Sequence, residues 1–102
     1  MTVVFADTFY YLALANPRDA AHPAARQFSA TFRGTVVTTW AVLLELGDAL
    51  CQVPNRAKAL EWLDLIRGDP SVELVPLGEE LLTEGVELYR ARPDKDWSLT
   101  DC

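Results

Sequence analysis

Apolar positions along the chain alternate between short β-branched runs and longer stretches with a repeat near 3.6 residues. The run "TVVFAD" (residues 2–7) is β-branched and aromatic and ends on an acid, which predicts a buried first strand. "TFYYLALAN" predicts a short helix stopped at Asn16-Pro17, since a residue before proline is driven out of the helical region. "AAHPAARQFSATF" predicts a second helix punctuated by Gly34, and "TVVTT" (residues 35–39) a second strand. "WAVLLELGDALCQ" sets Val42, Leu43, Leu46 and Leu50 near one helical face, with Pro54-Asn55 as its break. "RAKALEWLDLIRG" repeats the pattern through Leu60, Leu63 and Ile66, and Gly68 to Pro70 end it. "SVELVPL" predicts a third strand, and "GEELLTEGVELYRAR" a helix whose first-turn acids suit the helix dipole.

Strands alternating with helices imply crossover connections and a parallel sheet flanked by helices, an α/β architecture. With 102 residues and no repeat, low-complexity stretch or linker, residues 1–102 read as a single domain. Half the residues are hydrophobic, enough for a packed core and too many for disorder. No apolar run reaches the roughly 18 residues of a membrane span. The apolar N-terminus has no basic lead and is interrupted by Asp7, which argues against a signal peptide. Cys51 and Cys102 show no CxxC spacing, and this usage fits a reducing, cytoplasmic setting. The net charge of −6 argues against nucleic-acid binding by bulk attraction. Chemistry on nucleic acid would need a metal or a local basic strip, and Arg90, Arg92 and Lys95 are the basic concentration near the terminal acids.

Candidate chemistry rests on acids. Asp7 falls where the first strand gives way to its helix, the edge at which open parallel sheets bind ligands, but an N-cap role explains it equally well. Glu45 is the only charge between Gly34 and Asp48, and it also shares a solvated helix face with Asp48 and Gln52. The terminal "RPDKDWSLTDC" carries Asp94, Asp96 and Asp101, and its "SLTD" has the outline of a capping box with Ser98 as N-cap. Singly, none is a site. Brought together they would repel and need a cation, and oxygen ligands without His or Cys favour Mg²⁺ or Mn²⁺. The lone His22 reads as a surface residue at a helix start. Carboxylate-held Mg²⁺ meets substrate phosphates, which points to phosphodiester hydrolysis.

These stretches resemble one family. "VVFADTFYYLALAN", "TTWAVLLELGDAL" and "RPDKDWSLTDC" are similar, in order and spacing, to the three motifs of PIN domains, the last being the most specific. The resemblance implies a compact α/β fold and a Mg²⁺- or Mn²⁺-dependent ribonuclease. It also implies the toxin of a type II toxin–antitoxin pair, homodimeric and blocked by an antitoxin peptide. Position by position, Asp7, Glu45 and Asp101 match the metal-binding acids and Asp94 an additional one. Thr8 matches a hydroxyl that orients the metal or its water, and Ser98 keeps its capping role. Water activated by a metal would be the nucleophile, so no covalent intermediate is expected.

Family members continue past the third motif into a helix and further strands, one bearing another acid. The chain is therefore expected to be a PIN-like domain that lacks its last strands. That expectation carries a second reading, a binding module that holds an antitoxin or another subunit and cuts nothing. A receiver-like or phosphatase domain is a third, disfavoured because no lysine falls on a late strand.

Overall fold

The computed structural model describes residues 2–102. Its elements are β1 (Val3–Phe5), α1 (Thr8–Ala15), α2 (His22–Thr31), β2 (Thr35–Thr39), α3 (Trp40–Ala49), α4 (Val53–Gly68), β3 (Val72–Val75) and α5 (Glu79–Ala91). The strands form one parallel sheet in the order β1-β2-β3, with Val3 opposite Thr35 and Val36 opposite Val72. This is the predicted α/β architecture, with the expected elements in the expected order.

Side chains alternate across a strand, so the register sorts them onto two faces. Val36, Val72 and Leu74 pack with Ala6 against a core of Tyr11, Val42, Leu43, Leu46 and Ile66 from α1, α3 and α4. α1 packs on α2 and α3, and α3 on α4. Both crossovers thus lie over one face, as successive right-handed connections in a sequential parallel sheet require. The opposite face is open at β1, where Val3 and Phe5 are 59% and 60% exposed. The expectation of a buried first strand is corrected here: β1 is one of the two edge strands, and the crossover helices cover only its other side.

Two local readings also change. Pro54-Asn55 does not end a helix but lies in the first turn of α4, where proline's missing N–H leaves no bond unmade. His22 is half-buried, not a surface residue, and its Nδ1 donates to the Ala13 carbonyl at 2.7 Å, tying α2 to α1. Among the described residues, no helix is long and apolar enough to cross a membrane.

Candidate functional site

The ends of the strands set the site. Ala6, the residue after β1, is held twice by β2: its N–H donates to the Val37 carbonyl at 2.9 Å, and its carbonyl accepts from Thr38 Oγ1 at 2.8 Å. Thr38 is fully buried, so this bond is shielded from water and fixes where the chain leaves the sheet. Asp7 follows directly in extended conformation, N-caps α1, and accepts the Thr8 N–H at 2.7 Å through Oδ1. The capping reading of Asp7 is therefore correct, and it orients the carboxylate without engaging Oδ2.

β2 passes into α3 with no intervening loop, because Thr39 is both the last strand residue and the N-cap, accepting from the Val42 N–H at 3.2 Å. Leu46, fully buried, anchors that helix on the core and places Glu45 beside it, half-buried. Thr8 Oγ1 donates to Glu45 Oε1 at 2.6 Å. One hydroxyl thus joins the start of α1 to the second turn of α3, linking the first two predicted acids.

The third acid sits in the terminal turn. Ser98 N–H donates to Asp101 Oδ2 at 2.9 Å and Asp101 N–H to Ser98 Oγ at 3.0 Å, the reciprocal pair of a capping box. Asp7, Glu45 and Asp101 all line one cavity of about 830 Å³. Thr39 and Leu77 line it too, so the cavity lies beyond the C-terminal ends of all three strands. Its other walls are mostly apolar, Phe5, Leu44, Leu82 and Leu99 among them.

Asp48 also reaches this cavity, three residues after Glu45 on the exposed face of α3. The sequence carried the signal, the shared helical face, but that spacing served equally as a mark of solvation. Asp94 does not line the cavity. Arg92 grips it through Nε and an Nη, both at 3.0 Å, and this bidentate pair holds the Asp94 carboxyl below its ordinary range.

The donor set is chemically suited to a hard divalent cation: oxygen throughout, with one oxygen each of Asp7, Glu45 and Asp101 accepting no hydrogen bond from the described residues. The spacing is more open than a closed coordination shell. Among the described residues, no three His, Cys, Asp or Glu side chains stand close enough to hold one ion together. The acids share a cavity rather than a point.

No family model matches the sequence, and no curated protein matches it. Among solved structures, the chain is similar to VapC20 of Mycobacterium tuberculosis, a toxin that cleaves the sarcin-ricin loop. The TM-score is 0.85 at 24% identity, covering 98% of this chain and 75% of that one. The likeness shows that the chain has the VapC-type PIN fold.

Proposed function

We propose that the chain is a metal-dependent endoribonuclease acting on single-stranded RNA, the toxin of a type II toxin–antitoxin pair. One observation carries the reading. Asp7, Glu45 and Asp101 come from three separate parts of the chain to one cavity beyond the strand ends, each steered by a single hydrogen bond. The fold shared with an RNA-cleaving toxin supports the reaction class.

Asp7, Glu45 and Asp101 are the residues that would hold Mg²⁺ or Mn²⁺, with Asp48 a further oxygen donor in the same cavity. Such an ion lowers the pKa of bound water and offsets charge on the phosphate. The chain's own part is orientation. Thr8 fixes the Glu45 carboxylate, Ser98 fixes that of Asp101, and the α1 N-terminus fixes Asp7. Asp7 and Asp101 are open to solvent and Glu45 is half-buried, so a substrate phosphate can reach the acids from outside. Asp94, paired with Arg92, belongs to the surroundings of the site, where it sets the position of that guanidinium. The proposal extends to a cytoplasmic homodimer whose cleavage an antitoxin blocks.

The second reading is a binding module without catalysis. It is favoured by the separation of the acids, no three of which meet among the described residues. Cleavage of a mixed single-stranded RNA separates the two. The nuclease reading expects cuts in Mn²⁺, none in EDTA, and none with Asp7→Asn in either. An intact RNA after incubation with the parent chain in saturating Mn²⁺ would contradict it and leave the module.

A further inference from the structure

A second cavity, of about 490 Å³, adjoins the acid-lined one, and the two share Trp97 and Cys102 in their walls. Its lining contains Arg90, Arg92 and Lys95, a third of the chain's nine lysines and arginines, and no Asp or Glu side chain. In a chain of net charge −6, that is an unusual concentration of one sign. The cations are partly fixed in place. Arg92 lies 5.3 Å and Lys95 5.7 Å from the Trp97 ring centroid, within cation–π range. The bidentate pair with Asp94 also holds the Arg92 guanidinium. Arg90 is 3.8 Å from Glu87, but both side chains are well exposed, so water screens that pair. Tyr89 lines the same groove, 54% exposed, and makes no ring contact among the described residues.

Cations that follow a groove beside a free aromatic face are the means by which proteins hold single-stranded nucleic acid. The charges meet phosphates and the ring stacks a base. We propose that this groove carries the single-stranded RNA next to the linkage to be cut, with phosphates on Arg90, Arg92 and Lys95 and a base on Tyr89. The assignment rests on the nuclease reading above, since it names the path by which substrate reaches those acids. It also resolves a conflict in the charge. An acidic chain repels RNA overall, and a local cationic groove lets a phosphate approach carboxylates it would otherwise avoid.

The test is binding of a fluorescently labelled 12-nucleotide single-stranded RNA to the Asp7→Asn chain in EDTA, followed by anisotropy over a range of salt. Three phosphate contacts give a slope of log K against log salt of about −2, at roughly 0.7 per contact. Lys95→Ala and Arg90→Ala each reduce that slope by about 0.7, while Lys58→Ala, a matched charge change on exposed α4, leaves it unchanged. Tyr89→Ala weakens binding roughly 5- to 150-fold with the slope intact, and Tyr89→Phe restores it. Equal slopes for Lys95→Ala, Arg90→Ala and Lys58→Ala would overturn the assignment. So would Tyr89→Ala binding as the parent does, since no base would then stack on that ring. Cleavage by the parent in Mn²⁺ is read separately. RNA cut with unchanged slopes overturns the groove alone, and RNA held in the groove but never cut overturns the nuclease reading alone.

Discussion

Thr8→Val removes one hydroxyl and keeps the branched shape of the side chain. In the structure that hydroxyl donates to Glu45 Oε1 at 2.6 Å in a half-buried setting, across 37 residues of sequence. A hydrogen bond to a charged group contributes about 1.5–3 kcal/mol, and partial access to water puts this one at the low end. Glu45 Oε1 regains some water when the donor leaves, so a loss of about 1–2 kcal/mol is expected. For a domain of this size each kcal/mol lowers Tm by about 4–8 °C. The functional consequence is separable from the structural one. A carboxylate released from its orienting partner typically loses 10- to 100-fold in metal affinity. Thermal unfolding followed by circular dichroism, in EDTA and in a Mn²⁺ series, measures both. Stabilisation by a bound ion grows with its concentration over Kd, so the Mn²⁺ needed for a given rise in Tm increases 10- to 100-fold in the variant. Thr8→Ser restores the parent behaviour. If Thr8→Val lowers Tm in EDTA yet responds to Mn²⁺ as the parent does, Thr8 is only a structural link and the argument for its orienting role fails.

Other expectations follow from the packing. Leu46→Ala opens a hole at a fully buried position of α3 and should cost about 2–5 kcal/mol in urea unfolding. Gly34→Ala places a Cβ against the Thr2 carbonyl and the Phe32 ring where β1 and β2 approach. It should lower Tm although no positive φ is involved. Tyr11 is buried, and desolvation, with smaller contributions from Tyr10 and Asp69, pushes its phenol up to about 12. A raised pKa means that the folded chain keeps a proton the unfolded chain gives up near 10. Stability should therefore be full below pH 10 and fall by about 2 kcal/mol between pH 10 and 12, and Tyr11→Phe should flatten that fall.

Much of the fold was legible because local signals agreed with one another. "TVVTT" is β2 to the residue, and the capping roles of Asp7 and Ser98 are read from side-chain chemistry alone. Pro54 shows the limit of a local signal, since the same residue that ends one helix can open the next. The exposure of Val3 and Phe5 was hidden for a different reason. Which strands lie at the edges, and which face the helices cover, depends on the order of strands in space and not on any one strand's composition. The site divides in the same way. Asp7 and Asp101 were visible as strand-end and capping-turn residues and Glu45 as the lone charge of its stretch, but the hydroxyl bridge from Thr8 to Glu45 is a long-range contact that sequence spacing does not encode. Asp94 lies outside the cavity lining and is paired with Arg92, two residues before it, a local contact that competes with any role among the other acids.

The central claim is that Asp7, Glu45 and Asp101 act together on a divalent cation. Electron paramagnetic resonance of free Mn²⁺, titrated with the chain in the absence of RNA, tests it most directly because it needs neither a substrate nor a partner. The account predicts that the parent binds Mn²⁺ and that Asp7→Asn, Glu45→Gln and Asp101→Asn each weaken binding, while Asp94→Asn leaves it nearly unchanged. Equal Mn²⁺ uptake by the parent and all three variants would contradict the account, because the acids would then share a cavity without sharing an ion.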